Sequence, residues 1–377
     1  MNWRRTKAVA RKEMLHIYRD PLSLIAALAI PLVMLLLFGY ALTLDVDRIP
    51  TLIYDRDDSP ESREMVQLFR ASRYFDVLGQ PRSYAEIEDE INRSRCLLGV
   101  VIPPDFSSDL DAGNRGQVQL LLDGSDSNTA SIALGYAEAL LQSHSLTLQT
   151  RWFDRQAGNE FKAPVDPRMR VWYNSELKSK NYIVPGLIGV ILMIITALLT
   201  SLTIAREWEM GTMEQLLSTP LRPAELVLGK MAAFFLIGFI DTVVAVAVGV
   251  FIFGVPFRGN ALFLISTVTV FLFGVLCWGI LISAATRSQL KAYQIGMITS
   301  FLPAFLLSGF VYDIDNMPAI IRFITHIVPA RYLVTLLKGI FLKGIGLEIL
   351  FTEFLLLIVY AGVIFVIATR ILGRKVA

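Results

Sequence analysis

Ala205-Arg-Glu-Trp-Glu-Met-Gly-Thr-Met-Glu-Gln-Leu-Leu-Ser-Thr-Pro-Leu-Arg-Pro-Ala-Glu-Leu-Val-Leu-Gly-Lys230 separates two long apolar runs, and that placement decides the fold. A charged, helix-like connector between apolar runs lies at a membrane surface and joins two spans. Glu207, Glu209, Glu214 and Glu225 alternate with Trp208, Met210, Met213, Leu216 and Leu217. Positions 210, 213, 216 and 217 recur at helical intervals and predict one shared apolar face. Gly211 interrupts the pattern, and Pro220 and Pro223 end it. By pattern alone, a helix docked in a membrane or partner groove and an ordinary surface helix fit equally well.

Composition points independently to the membrane. The chain is 54% hydrophobic and 18% charged, against roughly 25% charged in soluble domains, and its mean hydropathy is +0.55. The net charge of +2 and the absence of a Lys/Arg stripe with interleaved aromatics argue against a nucleic-acid partner. A hydrocarbon core of about 30 Å needs around 20 apolar residues per helix. Six runs predict spans: Leu22–Leu44, Tyr182–Ala205, Met231–Phe253, Leu262–Ala284, Ala292–Val311 and Ile349–Leu372. The first is too long for a signal-peptide core, so it reads as an uncleaved span.

Lys and Arg near the span ends set the orientation. Arg4, Arg5, Lys7, Arg11, Lys12 and Arg19 precede the first span, and the 206–230, 287–291 and 370–375 segments are basic too. Six spans with both termini inside make all four cytoplasmic. The 313–346 connector faces out despite Arg322, Arg331, Lys338 and Lys343, because the parity of spans requires it. Cys96 then lies outside and Cys277 within a span, so no disulfide joins them.

Residues 45–181 form the one long polar insertion, predicted to be an extracytoplasmic α/β or α+β domain between spans 1 and 2. Strands are predicted over 50–54, 97–102, 117–122 and 168–173. Helices are predicted from Pro60 through Phe69, over 84–95 and 106–110, and from Thr129 to about Gly158, the last capped by Asp126 or Ser127. Ser125, Asp126 and His144 lack the spacing of a hydrolase site, and 123–128 reads as a turn and cap. The three histidines, His16, His144 and His326, fall in three different regions and imply no metal site. Gly229-Lys230 precedes Met and lacks the upstream Gly of a phosphate-binding loop, so the chain does not cradle ATP in the usual way.

Three further features carry function. Trp3 to Tyr18 is an amphipathic candidate, with Trp3, Ala10, Met14, Ile17 and Tyr18 on one face; a plain basic anchor is the simpler reading. Asp241 falls near the middle of the third span, where a lone carboxylate is costly. It marks either a contact in the translocation path or an interface residue satisfied by hydroxyls such as Thr196, Thr200 or Thr299. After the fifth span, 319–328 and 330–342 are apolar but too short to cross, and Pro329 divides them. Backbone that enters a membrane without crossing must be buried in protein or line a cavity, which predicts a pair of re-entrant helices over 313–346.

The 205–230 stretch resembles the cytoplasmic loop of ABC-2 type transporter permeases through Glu207, Gly211, Thr212, Glu214, Leu217, Thr219, Pro220, Glu225, Gly229 and Lys230. Leu307-Ser-Gly-Phe-Val-Tyr-Asp-Ile-Asp-Asn-Met-Pro318 and Ile327-Val-Pro-Ala-Arg-Tyr332 resemble the same family's outer signature, through Ser308, Gly309, Pro318, Pro329 and Tyr332. Asp313 departs from the Pro that many members carry, and with Asp315 it makes the outer lip acidic.

The resemblance implies a polytopic α-helical permease: a connecting helix over 1–21, a first span over 22–44, a transmembrane domain over 182–372 and a tail over 373–377. It implies docking of 206–230 on a separate ABC ATPase, which binds ATP and Mg, and a homodimer or a heterodimer with a sibling permease. It also implies a membrane-fusion adaptor in the periplasm and export across the bacterial inner membrane. Drugs or other toxic amphipathic compounds are the expected substrates; lipid, polysaccharide precursor or sodium share the architecture. A secondary transporter should show inverted repeats and several intramembrane charges. A membrane-anchored sensor should carry a cytoplasmic output domain.

Overall fold

The structure, a computed structural model, describes residues 2–42, 48–157, 172–174 and 178–376. Two compact units divide the chain: residues 1–44 with 170–377, and residues 45–169. The first begins with helices α1 (Trp3–Arg19) and α2 (Pro21–Ala41).

The 45–169 unit runs β1 (Ile49–Asp55), α3 (Pro60–Ala71), β2 (Phe75–Gly79), α4 (Tyr84–Asn92), β3 (Leu98–Ile102), α5 (Phe106–Asp111), β4 (Gln119–Leu122) and α6 (Ser127–Ala157). Its four-stranded sheet has the order β2-β1-β3-β4, with β1 parallel to both neighbours and β4 antiparallel to β3. Ile49, Ile53, Leu98, Val100 and Ile102 point into one core with Phe69, Phe75 and Phe106. Ser59 and Ser83 cap α3 and α4, and the Asp126 carboxylate accepts from the Thr129 amide at the start of α6.

Strands predicted over 50–54, 97–102 and 117–122 are β1, β3 and β4. The structure adds β2, in which a solvent-facing Asp76 and the terminal Gly79 interrupt the apolar run that marks β3 and β4. Arg168–Val171 of the strand predicted over 168–173 lie outside the described residues, and Trp172 and Tyr173 belong to no strand.

The remaining helices are α7 (Ser179–Ser201), α8 (Thr203–Glu209), α9 (Thr212–Leu217), α10 (Pro223–Phe251), α11 (Ala261–Thr286), α12 (Gln289–Leu306), α13 (Ala319–Ile324), α14 (Pro329–Lys338) and α15 (Leu347–Val376). Helix α7 is the hub. It is apolar on every side because α2, α10, α11, α12 and α14 surround it. Helix α15 lies along α11 and leaves Ile349, Val359, Val363 and Val366 exposed, as a lipid-facing helix does.

Four described helices are long and apolar enough to cross a membrane: Ser179–Glu209, Pro223–Phe251, Ala261–Thr286 and Leu347–Arg374. The first predicted span, Leu22–Leu44, falls on α2 (Pro21–Ala41), with residues 43 and 44 outside the described residues. The fifth differs. The run predicted over 292–311 is α12, which starts three residues earlier among Gln289 and Lys291 and stops at Leu306. Pro303 lies in its last turn, where it cannot donate back to residue 299, and the chain leaves the helix before Gly309, at φ 77°. Helices α13 and α14 belong to two segments, Ala319–Ile327 and Pro329–Lys343, bent by 90° at Pro329.

Close backbone approach holds α11 on α7. A Cβ on Gly279 would sit 2.0 Å from the Thr200 Oγ1 and 2.6 Å from the Ala197 carbonyl oxygen, the small-residue crossing typical of membrane helices. Gly279→Ala should therefore destabilise by about 1–3 kcal/mol through overpacking. Gly362→Ala on α15, where a Cβ meets nothing within 4 Å, should be tolerated. Thermal unfolding of the detergent-purified chain checks both.

Candidate functional site

The 205–230 stretch is built from α8, α9 and the first turns of α10, with α1 laid against α10. A Cβ on Gly229 would lie 2.6 Å from the Val9 Cβ and 3.0 Å from the Thr6 carbonyl oxygen, so only glycine lets the two backbones come this close. Helix α1 buries Thr6, Val9 and Glu13 and leaves Trp3 and Tyr18 exposed. Its packed face is thus not the predicted Trp3–Tyr18 face, which remains available to a membrane interface.

This crossing brings four charges together. The Lys230 ammonium, 1% exposed, donates to Glu13 Oε1 at 2.7 Å and to Glu207 Oε1 at 3.1 Å. Lys12 donates to the same Glu207 oxygen and lies 3.4 Å from Glu13. The Thr212 hydroxyl donates to the other Glu207 oxygen, which ties α9 to α8. Burial disfavours the charge on Lys12, but its hydrogen bond to Glu207 and the fields of Glu13 and Glu207 outweigh this and raise its pKa. One residue type at each corner closes the set: two cations from α1 and α10 against two carboxylates from α1 and α8.

A second link lies one turn below. Glu225, 1% exposed, accepts from the Asn2 amide at 2.6 Å and the Arg222 amide at 3.2 Å, with Arg5 at 3.8 Å. Arg5 also donates to the Pro220 carbonyl. The predicted span began at Met231, yet α10 already runs from Pro223. Glu225, Gly229 and Lys230 are therefore helix residues facing α1, not loop residues.

Gly211 adopts φ 69°, the left-handed conformation glycine favours, and splits the stretch into α8 and α9. Met210 is consequently 66% exposed while Met213 is buried, so the single apolar face predicted across 210–217 does not form. The Leu217 side chain lies outside the described residues. Glu214, Thr219 and Pro220 are exposed, and the Glu214 carboxylate has no partner among the described residues; the Thr219 hydroxyl donates to Leu216. Glu209 accepts from the amide and side chain of Gln289 on α12, at 2.8 and 2.6 Å. Ser283 on α11 accepts from the amides of Ile204 and Ala205, and Arg287 stacks on Trp208 at 4.4 Å.

Asp241 is 4% exposed on α10. No hydrogen bond joins Asp241 to Thr196, Thr200 or Thr299 among the described residues; the Thr200 and Thr299 hydroxyls donate to carbonyls of their own helices. At the far end of the unit, the Gly309 carbonyl accepts from Lys338 at 2.9 Å and Tyr182 at 3.2 Å. Lys338 lies 3.4 Å from the Tyr182 ring centroid. Tyr332 donates to the His326 carbonyl at 2.8 Å, and the buried Ser308 hydroxyl has no partner among the described residues. Pro318 and Pro329 start α13 and α14. Ser308, Gly309, Asp313 and Tyr332 meet around a polar cavity of about 440 Å³.

The family model described as "ABC-2 family transporter protein" matches residues 22–370. The chain belongs to the ABC-2 transporter family. It is 37% identical over 97% of its length to "Probable multidrug ABC transporter permease YbhS" of Escherichia coli, covering 96% of that protein. It is 33% identical to "Probable multidrug ABC transporter permease YbhR" of the same organism, over 97% of each chain. "Linearmycin resistance permease protein LnrN" of Bacillus subtilis is 22% identical over 89% of this chain and 91% of its own length. The protein is accordingly a multi-pass bacterial inner-membrane permease subunit and not an enzyme, and ATP hydrolysis belongs to a separate subunit.

Pattern reading singled out Glu207, Gly229 and Lys230 but missed Glu13 and Lys12 as the partners of Lys230 and Glu207, and Ser283 and Gln289, which hold the two ends of α8. The one available signal was Glu13, the sole acid in the basic Arg4–Arg19 run. Removing Lys230 leaves buried carboxylates undercompensated, which costs about 3–5 kcal/mol. Lys230→Met should therefore lower the melting temperature sharply and Lys12→Ala only slightly. Lys230→Met combined with Glu13→Gln should recover part of the loss, read by thermal unfolding.

Proposed function

We propose that this chain is the membrane half of an ATP-driven exporter of drugs or other toxic amphipathic compounds. The observation that carries this reading is near full-length similarity to two permeases named as probable multidrug transporters. In this reading α2 and α12 complete six spans, both termini are cytoplasmic, and the 45–169 unit is periplasmic. Residues 206–230 dock on the ATPase, which holds ATP and Mg, and the 313–346 segment is re-entrant at the outer face. Two permeases pair, as a homodimer or with a sibling chain, and a membrane-fusion adaptor contacts the periplasmic unit.

The docking face is α9. Glu214 is exposed there and Thr219 and Pro220 on the turn after it, while Glu207, Gly211 and Thr212 fix α9 to the helices behind it. Glu214→Lys should weaken copurification with the ATPase or abolish transport while leaving the fold intact; unchanged pull-down and transport would remove this assignment. Ser125→Cys should react with an impermeant maleimide from outside, and Ser218→Cys only after permeabilisation. The opposite pattern would invert the orientation.

Asp241 is assigned to the translocation path, since no described hydroxyl satisfies its carboxylate. With ethidium as an amphipathic cationic probe, Asp241→Asn should lose efflux at normal membrane abundance. Full efflux by that variant would leave Asp241 a packing residue.

A further inference from the structure

A second cavity, of about 370 Å³, opens between α1, α2, α7, α8, α9 and α10. Its lining changes character from one end to the other. Lys12, His16 and Arg206 border it with Glu13, Glu207 and Asp20, and Leu24, Leu199 and Phe234 continue it among the spans. Ligand cavities of this size are ordinary, about 300–1,000 Å³, but a polar-to-apolar gradient at the base of a span is the shape of an amphipath.

Charge decides which amphipath. Of the three carboxylates in the lining, Glu13 and Glu207 are compensated by Lys12 and by Lys230, which is not itself in the lining, and Asp20 has an interaction of its own that does not involve Arg206. The side chains of Arg206, which is exposed, and His16 make no ion pair or hydrogen bond among the described residues. The free guanidinium therefore stands where the chain passes from polar α1 to apolar α2. A guanidinium binds phosphate through paired hydrogen bonds, and basic pockets between membrane helices on the cytoplasmic side recognise anionic headgroups.

We propose that this cavity binds one inner-leaflet phospholipid with a net negative headgroup. Its phosphate lies at Arg206 and an acyl chain runs along Leu24, Leu199 and Phe234. The lipid would wedge α1 against α8 beside the Lys230 cluster, making their packing sensitive to membrane charge. The word "inner" rests on the orientation proposed above; the site itself does not.

The test is native mass spectrometry of the permease–ATPase complex, delipidated and titrated with phosphatidylglycerol or phosphatidylcholine. The wild type should retain one phosphatidylglycerol per permease chain, favoured about fivefold over phosphatidylcholine, as one basic residue supports. Arg206→Gln should abolish the preference, and Leu199→Trp, which fills the apolar end, should lose the bound lipid of either kind. Equal retention of the two lipids by the wild type would overturn the proposal, as would an unchanged preference in Arg206→Gln. Arg206→Gln alters an exposed side chain, so a folding defect in Leu199→Trp leaves the decision intact. Retention is read without reference to sidedness, so its failure and a reversed maleimide pattern are separate results.

Discussion

The Lys230 ammonium sits between carboxylates contributed by α1 and α8, in a site from which water is almost excluded. Neither carboxylate can remain ionised there without a cation, and neither helix can move off α10 without uncovering that charge. A buried ion pair adds little net stability over an apolar replacement, yet breaking one partner is severe. Such a set therefore specifies an arrangement more than it strengthens one. Gly229 makes the arrangement possible, because any Cβ there would hold α1 away from α10 and leave Lys230 short of Glu13.

In the proposed mechanism, these contacts turn the cytoplasmic surface into one body. Thr212 fastens α9 to Glu207, and Glu207 is fastened to Lys230 and Lys12. The amides at the start of α8 are held by Ser283 on α11, and its end by Gln289 on α12. A push on the exposed side of α9 thus reaches α10, α11 and α12 through polar bonds of fixed geometry, without a hinge between them. The left-handed Gly211 is the one backbone break in the path, and the Thr212–Glu207 hydrogen bond bridges it.

Much of this was legible in the sequence. The longest apolar runs became α7, α10, α11 and α15, because a span must be apolar over its whole length. The division at Pro329 followed from two apolar pieces too short to cross, while the 90° angle between them came only from the structure. The weaker readings failed for local reasons. Gln289 and Lys291 open α12 and Pro303 closes it, so its apolar stretch is shorter than the hydropathy run. Met210 and Met213 obey helical spacing in the sequence but stand on opposite sides of a glycine whose φ is positive. Strand β2 has Asp76 and Gly79 in its five residues and is held by its pairing with β1. The ion cluster was least legible of all, since Glu13 and Lys230 are more than two hundred positions apart and no periodicity joins them.

If α1, α8, α9 and the base of α10 move as one body, the distance between α1 and α9 should not respond to nucleotide. Spin labels at Arg11 and Ser218, both exposed, would report it by double electron–electron resonance in the reconstituted permease–ATPase complex, with Cys96 and Cys277 replaced. The account predicts one narrow distance distribution, the same with ADP and with ATP trapped, and a broadened one in Lys230→Met. A wild-type distance that shifts by several ångströms between the two nucleotide states would contradict it.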